Sequence, residues 1–121
     1  MKPKKVLIVD DDARNIFALT AALKVKSFEC VSCFSAAKAL LILESQNYID
    51  VILIDMMMPE IDGYEAIALI KKIPTHKKTP IVAVTAQAMT GDREKCLESG
   101  ADDYISKPIN VDQLLLILNS L

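Results

Sequence analysis

The sequence predicts an α/β domain in which a parallel five-stranded sheet is covered by helices on both faces. Three observations predict it. Apolar runs and amphipathic helical stretches alternate five times along the 121 residues, joined by short links. The central runs, such as Val51-Ile52-Leu53-Ile54, are apolar at every position, as strands buried on both faces are. Four of the five runs lead into polar or charged residues: Asp10 and Asp11, Asp55, Thr85 and Lys107. Right-handed crossovers then restrict such a chain to a few doubly wound strand orders.

The first strand is 5–9, Lys-Val-Leu-Ile-Val, followed by Asp10-Asp11-Asp12. A helix fits 13–26, with Ile16, Leu19 and Leu23 at helical spacing, Asp12 as its N-cap, and Lys24 and Lys26 favouring its C-terminal end. The second strand covers 28–34. Ser35 caps a helix through 44, rich in Ala and Leu, and Gln46-Asn47 closes it. The third strand, 51–54, runs into Asp55. Asp62-Gly63 marks a turn, a helix spans 64–73, and Pro74 stops it. Pro80 opens the fourth strand, 81–84, which ends at Thr85. A fourth helix covers 91–99, with Gly100 as its left-handed C-cap. The fifth strand is 103–106 and leads into Lys107-Pro108. Asn110 and Gln113 form a capping-box variant, and the last helix, 111–121, sets Leu114, Ile117, Leu118 and Leu121 on one face. No repeat, low-complexity segment or linker interrupts the pattern, so residues 1–121 read as a single domain.

Composition excludes several classes. A net charge of -2 lacks the basic stripe that nucleic-acid binding needs. No apolar run approaches the ~20 residues of a membrane span, so no membrane insertion is expected. The basic start leads into a short apolar run ending in three acids, unlike a signal peptide, and the cytoplasm is the expected compartment. Cys30 and Cys33 form a C-x-x-C, but residues three apart on a strand face opposite sides, so both are read as small buried hydrophobes. His76, the one histidine, falls in a polar loop and is read as solvated; a histidine phosphodonor must then lie outside the chain. Met56, Met57 and Met58 are assigned to core and site-rim packing, and Lys71-Lys72 and Lys77-Lys78 to solvated faces.

Ligands of a doubly wound sheet bind beyond the carboxyl ends of its strands, where strand order reverses. In the order 2-1-3-4-5 the reversal lies between the first and third strands, which sets Asp10, Asp11 and Asp55 side by side. Three carboxylates together raise one another's pKa, or a cation must intervene. With oxygen donors only, a hard ion fits, and magnesium fits best. Lys107 adds a compact positive charge and Thr85 a hydroxyl. A nucleophilic carboxylate, a metal, a lysine and a hydroxyl are the parts that phosphoryl transfer needs, with Asp55 as acceptor. Taken singly, Thr85 and Lys107 would pass for ordinary strand-end residues; it is the set that points to this chemistry.

These residues resemble the receiver domain of two-component response regulators, over essentially the whole chain. V-D-D at 9–11, D-x-x-M-P at 55–59, D-G at 62–63, T-A at 85–86 and K-P at 107–108 occur in family order and spacing. The resemblance implies the flavodoxin-like (βα)5 fold with a parallel sheet of order 2-1-3-4-5. It implies that Asp55 attacks the phosphohistidine of a histidine kinase or histidine phosphotransfer domain. Asp11, Asp55 and the Met57 carbonyl would bind magnesium, with manganese as an alternative, and Asp10 would act through a water. Lys107 would pair with the acyl phosphate, with Thr85 and the Ala86 amide donating to it. Tyr104 matches the aromatic switch position that follows Thr85. The Lys107-Pro108 peptide is often cis in the family. The face of the fourth helix, fifth strand and fifth helix would meet a downstream effector. The wording is nearer to receivers of hybrid sensor kinases, although a free-standing regulator fits as well. Met57 and Gln87 depart from the chemotaxis regulator, which has asparagine and an acid there, and are expected to tune the lifetime of the acyl phosphate.

Other classes fit less well. An aspartyl-nucleophile phosphatase of the haloacid dehalogenase type would use Asp10-x-Asp12, but Arg14 stands where that family has Thr or Val, and no cap domain is present. A flavodoxin-like electron carrier would need a phosphate-cradling first loop, and three aspartates would repel the phosphate. A degenerate receiver used only for binding would not keep the complete acid, threonine and lysine set.

Overall fold

A computed structural model of the protein describes residues 4–45, 48–86 and 92–121. The elements are β1 (Lys5–Val9), α1 (Ala13–Val25), β2 (Glu29–Cys33), α2 (Ala36–Ser45), β3 (Val51–Asp55), α3 (Gly63–Ile70), a 3-10 turn (Pro74–His76), β4 (Ile81–Thr85), α4 (Asp92–Glu98), β5 (Asp103–Ser106) and α5 (Val111–Ser120). The strands pair in parallel in the order β2-β1-β3-β4-β5, as the sequence predicts. This is the flavodoxin-like (βα)5 arrangement. The expected closing residues Gln46-Asn47, the helix start at Gly91 and the tuning residue Gln87 lie outside the described residues.

Two cores explain why the strands are apolar at every position. Leu7, Val9, Ile52, Ile54, Ile81 and Ala83 pack with Ala39 and Leu43 of α2, Ile67 and Ile70 of α3, and Cys96 of α4. The alternate residues Val6, Ile8, Val51, Leu53, Val82 and Val84 pack with Ile16, Leu19 and Leu23 of α1 and Leu114 and Leu118 of α5. Helices thus cover both faces, and strand side chains alternate between them. Cys33 belongs to the first core and Cys30 packs against the second, so the C-x-x-C is divided by the sheet.

The caps follow the sequence. Asp12 accepts the Arg14 amide, Ser35 Oγ the Lys38 amide and Asn110 the Gln113 amide. Gly100 adopts φ +114° and closes α4, with its amide on Leu97 O and the Ala101 amide on Cys96 O.

Three expectations need correction. α3 ends at Ile70, three residues before the predicted end, because Pro74 holds Ile73 extended (φ -82°, ψ 116°) and the Lys72 and Ile73 amides tighten onto Leu69 O and Ile70 O. His76 is buried rather than solvated; the 3-10 turn sets its Nδ1 3.0 Å from Thr79 Oγ1. Leu121 lies beyond the end of α5 and is exposed, so the helix buries Leu114 and Leu118 and leaves Ile117 partly covered.

Candidate functional site

The end of β1 delivers Asp10 and Asp11, and the last residue of β3 is Asp55. Since β1 and β3 are neighbours with Val9 opposite Ile54, the three acids meet at the predicted reversal of strand order. One ligand atom from each of Asp10, Asp11 and Asp55 lies within 4.8 Å of the others. Asp10 and Asp55 are buried, at 2% and 4% exposure, whereas Asp11 faces solvent.

Lys107 compensates the buried pair. Its backbone amide donates to Thr85 O at 2.7 Å, which ties the end of β5 to the end of β4. Its Nζ then stands 3.2 Å from Asp55 Oδ2 and 3.3 Å from Asp10 Oδ2. The Met57 amide donates to Asp55 Oδ1 at 3.0 Å. The Asp12 amide donates to Asp10 Oδ1 at 2.8 Å, and Asn15 Nδ2 donates to Asp10 Oδ2 at 2.5 Å. Burial pushes the Asp55 carboxyl above the ordinary aspartate range; the Met57 amide and Lys107 pull it back in part, while Asp10 adds to the rise. For Lys107, burial opposes the charge, but Asp55 and Asp10 together outweigh it and hold the ammonium above the ordinary lysine range. A neighbouring cation usually lowers a carboxyl pKa; at Asp55 desolvation wins.

The donor chemistry fits magnesium: oxygen atoms only, and one acid exposed with no protein hydrogen bond or ion pair among the described residues. Asp10, by contrast, already accepts from three protein donors, which leaves it little capacity for direct coordination. Thr85 is buried at the end of β4. Tyr104 pairs in register with Ala83 of β4 and packs half-buried against the first core. Ala86 and Met57 are exposed at the rim, while Met56 and Met58 turn inward. The Lys107-Pro108 peptide is cis.

A family model for the response regulator receiver domain matches residues 6–119. The chain belongs to that family. Hybrid signal transduction histidine kinase I of Dictyostelium discoideum is 40% identical over 126 residues, covering 99% of this chain but 7% of that protein. Response regulator PleD of Caulobacter vibrioides is 36% identical over 117 residues, covering 97% of this chain and 26% of that protein. This receiver domain therefore spans a small part of the length of these relatives. Among solved structures, the receiver domain of sensor histidine kinase PA1611 from Pseudomonas aeruginosa superposes with a TM-score of 0.88 at 34% identity, covering 98% of this chain and 96% of that one. That structure has a magnesium ion coordinated in its active-site cleft.

Sequence reasoning missed Asn15. It lies five residues after Asp10, three after the cap Asp12, and one helical turn before Leu19. Only the capped start of α1 turns it back onto Asp10, and no motif spacing marks it. Beside it a cavity of 270 Å³ opens between α1 and the β5–α5 connection, lined by Asn15, Leu19, Lys107, Pro108 and Ile109.

Proposed function

We propose that this receiver domain, residues 1–121 as one unit, accepts a phosphoryl group on Asp55 from the phosphohistidine of a histidine kinase or histidine phosphotransfer domain. The observation that carries the reading is Lys107, whose ammonium is shared by two buried carboxylates beside a third, exposed one. A site with that charge pattern is built to receive an anion once a cation is present.

An Asp55 oxygen attacks phosphorus. The O–P bond forms as the P–N bond breaks, and the electron pair returns to the donor's imidazole, which leaves neutral because its other nitrogen carries a proton. Lys107 moves from the carboxylates onto the phosphoryl oxygens, where Thr85 and the Ala86 amide also donate. A divalent cation, magnesium or manganese, held by Asp11, Asp55 and the Met57 carbonyl with Asp10 reaching it through water, would neutralise charge on the phosphoryl group. The movement of Thr85 lets Tyr104 turn inward and alters the α4–β5–α5 face, which a downstream effector reads. Hydrolysis of the acyl phosphate resets the site; Met57 borders the path of the attacking water, and Gln87, two residues after Thr85, is the second tuning position. The domain signals by its occupancy rather than by turnover. A hybrid kinase and a free-standing regulator both use such a site; with a phosphohistidine donor, either works in the cytoplasm.

Incubation with magnesium and acetyl phosphate, followed by mass measurement, tests this. The expected result is one acid-labile phosphoryl adduct, absent from Asp55→Asn and absent without the metal. Turnover of phosphate esters with no trapped adduct would overturn the reading in favour of an aspartyl phosphatase.

A further inference from the structure

Asn15 carries an inference that rests on the phosphoacceptor reading and adds a residue to it. Asp10 Oδ2 takes two donors, the Asn15 amide and the Lys107 ammonium, while Oδ1 takes the Asp12 amide. An oxygen with two donors has both lone pairs engaged. If Lys107 shifts to a phosphoryl group, Asp10 loses its cation while remaining 2% exposed. A buried carboxylate that loses a donor resists the change, so Asp10 alone would hold Lys107 back. Asn15 belongs to α1 rather than to the β5–α5 connection, and does not have to move with Lys107.

We infer that Asn15 is a positioning residue, whose amide holds Asp10 in place and thereby frees Lys107 to follow the phosphoryl group. The side chain is half-exposed, so substitutions there are compatible with folding, and a thermal melt checks each variant. Asn15→Leu keeps the branching and heavy-atom count of the side chain and removes the donor. Asn15→Asp keeps the shape and sets a like charge against Asp10.

The experiment measures the acetyl phosphate reaction at saturating magnesium, and magnesium binding alone by calorimetry on the unphosphorylated protein. For Asn15→Leu the expected result is a phosphorylation rate lower by roughly tenfold, with a magnesium Kd within about threefold of wild type. Asn15→Asp should bind magnesium more tightly than wild type yet phosphorylate more slowly than Asn15→Leu. An enhanced affinity combined with a slower reaction is not what loss of structure produces. An unchanged rate in Asn15→Leu, or weaker magnesium binding in Asn15→Asp, would overturn the assignment while leaving Asp55 as acceptor. Wild-type protein that takes no phosphoryl group would instead overturn the proposed function itself.

Discussion

At Asp55 burial opposes the charge that the proposed chemistry needs. The folded state holds the Asp55 proton more tightly than the unfolded chain does, because desolvation and Asp10 outweigh Lys107 and the Met57 amide. As pH rises from the ordinary aspartate value of 3.8 through the raised folded value, the unfolded chain releases its proton first and stability falls. Above that window the cost is fully present. Asp55→Asn should therefore raise the melting temperature of the metal-free protein. The gain should vanish as pH falls below the window, where wild-type Asp55 is also neutral. Added magnesium should raise the wild-type melting temperature more than that of the variant. Calorimetry from pH 3 to 8 checks it, and a variant less stable than wild type at pH 7 would contradict it. Met57 belongs to the same scale: it is exposed beside the acid, where we propose that its thioether screens the acyl phosphate from water. Met57→Asn should speed loss of the acyl phosphate several-fold in a mass time course; equal or slower loss would refute the screen.

Between elements, the close contact that shapes the site is α3 against the end of β3. A Cβ on Gly63 would lie 2.6 Å from Met56 Cα and 3.1 Å from Asp55 O, both backbone atoms, while the Gly63 amide bonds to Met56 O at 3.2 Å. Backbone cannot yield as a side-chain tip can. Gly63→Ala should cost about 1–3 kcal/mol, read by urea denaturation, and should slow phosphorylation because the Met56–Met57 backbone must shift. Wild-type stability and rate would show that α3 can slide without disturbing Asp55. The sequence made Asp62-Gly63 legible as a turn, since Asx-Gly pairs favour one, but not the packing reason for the glycine. The end of α3 was misread for a related reason: periodicity carries through Lys71-Lys72-Ile73, whereas the restriction Pro74 places on its preceding residue acts upstream. His76 was misread because burial by a single 3-10 turn leaves no periodic trace.

Across the whole molecule, the parallel sheet and its charged strand ends were readable because the sheet is buried on both faces, while the order of the strands followed from the family resemblance. What could not be read from spacing is coupling, since that depends on which partner a side chain finds across elements. Asn15 on Asp10 is one case, and the bond from the Lys107 amide to Thr85 O, joining the two strand ends, is another. That bond bears on the proposed switching. β5 carries both Tyr104 and the approach to Lys107, and pairs along its length with the strand that ends in Thr85. A pull on the Thr85 side chain and a pull on Lys107 therefore act on the same pair of strands from two sides. If the Thr85 hydroxyl is what converts occupancy into a new packing of Tyr104, Thr85→Ala should uncouple the two events. It should still form the Asp55 adduct, at a rate within about tenfold of wild type, because the acid, the lysine and the metal ligands are intact. Hydrogen exchange in α4 and β5 should change on phosphorylation of wild type and stay near its unphosphorylated level in Thr85→Ala. The same exchange difference in both proteins would assign the coupling to Lys107 and the β5 backbone instead.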